Sequence, residues 1–192
     1  MKPETLSAAS GNGRYTAPAI ALHWVIALSI LGTFALGLYM HDLSLSPTKL
    51  RLYSWHKWAG VTLFLLASAR LLWRVTHRPP PLPETTPPLQ RLAAAGAHHL
   101  LYVLTFAVPL TGWLMSSALG FQTVWFGVLP IPDLLPKDPD LGELLKALHQ
   151  NLNFLMAAVV AAHAAAAVKH HVIDRDDVLR RMLPGRVSQH PA

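Results

Sequence analysis

HQNLNFLMAAVVAAHAAAAVKHH, residues His149–His171, is the stretch that decides the fold. From Ala147 to Val168 it contains no Asp, Glu, Lys or Arg. A helix crosses ~30 Å of hydrocarbon with about 20 such residues. Two histidines nevertheless stand inside it. An ionisable side chain within a membrane span is costly and marks function. His149 and His163 are separated by 14 positions. At ~1.5 Å and ~100° per residue they lie roughly 21 Å apart along the axis and about 40° apart around it. They face the same way at two depths, so each asks for a partner at its own level.

Outward from this stretch, Tyr15–His41 and Leu92–Pro132 are equally free of charged residues. Over the whole chain 14% of residues are charged, against about a quarter in soluble domains. Four transmembrane helices follow: Pro18–Met40, Leu50–Val75, Leu92–Ser117 and Gly142–His171. Pro18 suits a first turn, where its missing N–H is not needed. The second span carries Lys57, Arg70 and Arg74, which reach out to the interfaces. HRPPPLPETTPP (His77–Pro88) reads as a semi-rigid, non-helical linker. Phe121–Leu141 holds four prolines with Trp125 and Phe126, the composition of an interfacial loop. Pro109 predicts a kink in the third span. The charged segment from Asp174 reads as a short surface helix. The fold class is all-α, an integral membrane four-helix bundle. The expected layout is a polar tail over 1–13, the bundle domain over 14–184 and a C-terminal tail over 185–192. The first apolar run is too long for a cleavable signal and reads as a retained span.

Charge sets the expected orientation. Four spans place Lys2, Arg14, Arg70, Arg74, Arg78, Arg91, Lys169, Arg175, Arg180, Arg181 and Arg186 on one side. Lys49, Arg51, Lys57, Lys137 and Lys146 fall on the other. The positive-inside rule then puts both termini in the cytoplasm. The net charge of +6 follows from this bias and calls for no nucleic-acid partner; the partner is the lipid bilayer.

There is no cysteine among the 192 residues. That excludes thiolate-held iron–sulfur clusters, c-type haem attachment and thiolate zinc sites. Histidine must carry any metal chemistry. His56 matches the outer level of His149, and His23 the inner level of His163. Imidazole is a natural axial ligand of haem iron, so the pattern predicts two bis-histidine haems stacked across the membrane. The alanines of the fourth helix, with Gly32, Gly37, Gly60 and Gly112, leave room for a flat macrocycle. Arg70 and Arg74 suit haem propionates. His41, His77 and His190 read as solvated.

These residues carry a family resemblance. RYTAPAIALHW (Arg14–Trp24), HKWAGVTLFLLASARLLWR (His56–Arg74), HHLLYVLTFAVPLTGWLM (His98–Met115), LHQNLNFLMAAVVAAHAAAAVKHH (Leu148–His171) and DVLRRMLP (Asp177–Pro184) together resemble the bacterial cytochrome b561 family. The likeness is strongest to four-helix members that act as superoxide oxidases, and it spans Arg14 to Pro184. It implies two haem b groups on His23, His56, His149 and His163, the same set as the depth argument. It also implies that His98 and His170 lie near the cytoplasmic haem or a quinone pocket. The implied activity is oxidation of superoxide to dioxygen at the periplasmic face of the bacterial inner membrane, with electrons passed to ubiquinone. A cytochrome b subunit that links a separate dehydrogenase or hydrogenase to quinone is the alternative. A non-redox transporter or metal-binding membrane protein is a second.

Overall fold

The computed structural model describes residues 13–83 and 86–185. Four long helices dominate it: α1 (Ala17–His41), α2 (Pro47–Thr76), α3 (Pro88–Ala118) and α4 (Pro139–Lys169). Each is long and apolar enough to span a membrane. All four open with proline in the first turn, where the ring presets φ and no N–H is lost. Ser46 and Asp138 add side-chain caps, accepting from the backbone N–H of Lys49 at 3.2 Å and of Leu141 at 3.1 Å. These prolines explain why the helices begin earlier than the apolar pattern alone predicts. Pro88, expected in the linker, starts α3, and Pro139, expected in the interfacial loop, starts α4.

The bundle is apolar on its outside. Leu28, Leu72 and Val103 are more than 60% exposed, and only nine hydrophobic side chains among the described residues are buried. In water such a surface would aggregate; against acyl chains it is the expected finish. α1 packs on α2, α2 on α3, and α3 most extensively on α4. Side chains bridge α1 to α4, with the Phe34 and Phe154 rings edge to face at 6.0 Å.

The α3–α4 connection is more ordered than a simple interfacial loop. β1 (Val124–Trp125) and β2 (Leu129–Pro130) form a small antiparallel hairpin. Trp58 and Trp113 pin this region through indole N–H bonds to the carbonyls of Val124 and Pro132. Phe126 at the hairpin tip has φ of 50°, a left-handed conformation that costs a non-glycine residue about 1–3 kcal/mol. Its ring contacts Trp58 and Trp125, which offsets that cost.

The expected surface helix after Asp174 is not formed. A π-helical turn, His170–Asp174, extends α4, and Arg175 then turns left-handed at φ 53°. Residues 175–185 contain one short 3₁₀ turn, Arg180–Met182. Their backbone is claimed by other elements. Arg14 donates to the Leu183 carbonyl, Trp24 Nε1 to the Met182 carbonyl at 2.8 Å, and the Tyr15 N–H to the Arg181 carbonyl. Arg181 in turn donates to the Pro81 carbonyl. The segment is a strap across the inner ends of the helices. The expected tails lie outside the described residues except for Gly13 and Gly185, as does His190.

Candidate functional site

The 14-residue spacing of α4 recurs on every helix. α1 has His23 and Gly37, α2 has His56 and Arg70, α3 has His98 and Gly112, and α4 has His149 and His163. Four turns of helix return almost to the same azimuth, so each helix presents one of these residues at two levels. The structure groups them accordingly. One level holds His56, His149, Gly37 and Gly112; the other holds His23, His98, His163 and Arg70.

At the first level the His56 and His149 rings stand 6.3 Å apart, centroid to centroid, with planes at 86°. The two glycines flank them. A Cβ on Gly112 would lie 3.0 Å from His149 Cε1, and one on Gly37 would lie 3.4 Å from His56 Cε1. A side chain at Gly112 would therefore press on His149, whereas one at Gly37 would only reach ordinary contact with His56. His149 Nδ1 lies 3.0 Å from the Val108 carbonyl. A carbonyl can only accept, so Nδ1 carries the proton and Nε2 is left as the ligand nitrogen. Thr111 Oγ1 sits 3.2 Å from the same Nδ1. His56 Nδ1 is buried and has no hydrogen-bond partner among the described residues.

At the second level His23 and His163 also stand 6.3 Å apart, with planes at 72°. A third imidazole joins them, His98, at 5.3 Å from His163. The tandem His98-His99 is thereby resolved. His98 faces inward, while exposed His99 bonds the Ala95 carbonyl of its own helix. Arg70 reaches across to the Ala19 carbonyl at 2.9 Å, and the Arg74 guanidinium lies over the Tyr102 ring at 5.5 Å. His170 forms a separate cluster. Its Nδ1 is 2.6 Å from Asp176 and 3.4 Å from Asp174, which Lys169 also pairs. His41 pairs with Asp42, and His77 stacks on Trp73 at 3.9 Å rather than standing free.

The spacing of both opposed pairs suits one metal between two rings. Metal–imidazole bonds are about 2.0–2.1 Å. With ~1.1 Å from each nitrogen to its ring centre, two trans imidazoles stand roughly 6 Å apart. The His98–His163 pair is closer than this. Most of the α4 alanines are exposed rather than packed. They keep α4 slender without forming a helix contact, and Gly32 and Gly60 have open space where a Cβ would stand.

A family profile for prokaryotic cytochrome b561 matches residues 14–185. The chain belongs to the prokaryotic cytochrome b561 family. It is 38% identical over 178 residues to cytochrome b561 homolog 2 of Escherichia coli K12, covering 88% of this chain and 91% of that protein. It is 30% identical over 177 residues to cytochrome b561 homolog 1 of the same organism, covering 90% and 98%. A probable superoxide oxidase, CybB of Yersinia pestis, is 28% identical over 177 residues, covering 89% and 96%. Cytochrome b561 proteins bind b-type haem and carry electrons in membranes. The four membrane-length helices found here agree with the four-helix bundle of that family.

Sequence reasoning found all four opposed histidines but missed their supports. Val108 and Thr111, which orient His149, carry no sequence signal of their own. The 14-residue spacing that pairs His23 with Gly37, His56 with Arg70 and His98 with Gly112 was visible in the sequence.

Proposed function

We propose that this cytochrome b561 oxidises superoxide at the periplasmic face and passes the electrons to ubiquinone: two superoxide, one quinone and two protons give two dioxygen and one quinol. The matched 6.3 Å spacing of His56–His149 and His23–His163 carries the reading. Two b-type haems, when bound, supply the one-electron chemistry. His56 and His149 hold the outer group, His23 and His163 the inner one. Arg70 and Arg74 lie toward the inner level and would suit haem propionates there. His98 stands beside the inner pair, and the His170–Asp176 pair lies at the cytoplasmic end of α4. Both suit delivery of protons to a quinone.

Superoxide is an anion, so free positive charge near the outer pair helps collect it. Lys57, next to His56, donates to the Phe121 carbonyl at 2.7 Å and makes no direct ion pair among the described residues, although Asp133 acts on its charge from a distance. Lys49 donates to the carbonyls of His41 and Leu43. Lys146 is instead paired with Glu143 at 2.9 Å.

The localisation we propose is the bacterial inner membrane, with both termini cytoplasmic. The cation asymmetry supports it. A reporter after Ala192 is expected to read cytoplasmic, and one within Lys137–Leu141 periplasmic. Function is tested by stopped-flow mixing of the haem-loaded protein with superoxide. Rapid reduction of both haems, followed by reoxidation with ubiquinone, is the expected result. Intact haems that superoxide leaves oxidised would refute the donor assignment.

A further inference from the structure

Between the two histidine levels lies a small, partly enclosed cavity of about 30 Å³. Ile30, Leu63, Val108 and Met156 supply apolar wall, but three polar side chains also face it: Thr33, Thr105 and Asn153. Such residues are unexpected here unless something uses them. In hydrocarbon an unpaired amide or carbonyl costs several kcal/mol.

Each polar group has capacity left over. Asn153 donates one amide N–H to the His149 carbonyl at 2.7 Å. Its second N–H and its side-chain oxygen have no partner among the described residues. Thr33 donates to the Ser29 carbonyl and Thr105 to the Leu101 carbonyl, so both hydroxyl oxygens keep lone pairs. A fourth group comes from the backbone. Pro109, which also lines the cavity, has no N–H. The Thr105 carbonyl, four residues earlier, therefore loses its helical donor. In membrane helices such freed carbonyls are re-satisfied by side chains or ordered water.

We propose that this cavity holds one ordered water molecule, bound by Asn153, Thr105 and Thr33, which ties α1, α3 and α4 together between the two redox levels. The volume fits: ~10–15 Å³ suffices for one water, which needs two to four polar partners. It is far too small for a macrocycle or a quinone. Apart from these three polar side chains the lining is apolar, so the water is a fixed dipole rather than a step in a proton wire. Asn153 grips the carbonyl of His149, one turn away, so the water is coupled to the outer ligand and not to the inner one.

The test is a structure of the haem-loaded protein at a resolution that shows ordered water, for the native chain and for Asn153→Leu, with redox titration of both. The native map is expected to show one water within hydrogen-bond reach of Asn153 and Thr105. The leucine variant is expected to lack it, and its outer haem potential to shift while the inner one stays. If Asn153→Leu does not fold, Pro109→Ala serves instead. It restores a donor to the Thr105 carbonyl and should displace or loosen the water. A dry cavity in the native map overturns the proposal, as does a water whose loss moves neither potential. The site rests on protein groups alone. Missing haem at the histidine pairs would refute the cofactor assignment and leave the water to be judged from the same map.

Discussion

The outer level is two histidines against two glycines; the inner level is three histidines against an arginine. Both opposed pairs share one ring separation, so the difference lies in what surrounds them. The outer pair is positioned by shape, with Gly112 closing tightly on His149, Gly37 lying in ordinary contact range of His56, and Val108 fixing one tautomer. The inner pair is set by charge and by a spare imidazole, with Arg70 and His98 beside it. One scaffold repeat thus yields a sterically defined site and an electrostatically defined one. A cation near haem iron disfavours the ferric state, so the inner site is expected to have the higher potential. Electrons then run downhill from the outer site to the inner one.

Removing a ligand is the largest perturbation of this contrast. His149→Ala is expected to abolish the outer haem and His163→Ala the inner, each leaving about one haem per chain by pyridine haemochrome assay. Two haems retained in both variants would break the pairing. The next effect tests shape. Gly112→Ala places a methyl 3.0 Å from His149, an overpacking worth ~1–3 kcal/mol. It should lower outer haem occupancy severalfold, whereas Gly60→Ala, which meets open space, should leave both haems in place. Equal losses in the two would mean that the glycine is not shaping the site.

Charge at the inner level is a smaller lever. Arg70→Gln should lower the inner midpoint potential and leave the outer one unmoved in a redox titration. A shift of both, or of the outer alone, would refute the assignment of levels. The least effect concerns donor capture. Lys57→Glu is expected to slow haem reduction by superoxide severalfold at low salt and little at high salt, since screening acts over ~10 Å at 0.1 M. Lys146→Glu should matter less, because Glu143 already offsets that charge. A rate indifferent to Lys57 would remove the steering argument.

The spans and the four opposed histidines were legible because they rest on local rules. An uncharged run of about 20 residues admits few other structures, and a 14-residue spacing converts directly into depth. The choice of His98 over His99 came from the family resemblance and not from spacing: adjacent residues on a helix differ by ~100°, and the tandem alone hides which faces the bundle. The strap at residues 175–185 was also missed. Its polarity reads as a solvated helix, but its backbone bonds go to Arg14, Tyr15 and Trp24, about 160 positions earlier. No window of sequence holds both sides of that contact.

That strap has a consequence in time. During synthesis the outer pair is complete once His149 has emerged, and the inner pair once His163 has. The Met182 carbonyl, which holds Trp24 beside His23, arrives after both. At about 5–20 residues per second, the 34 residues from His149 to Leu183 take roughly 2–7 s. The newborn chain therefore passes through an interval with its outer site built and its inner end still uncovered. On the proposed assignment of levels and sides, that interval would let the inner cofactor load before residues 175–185 close over it.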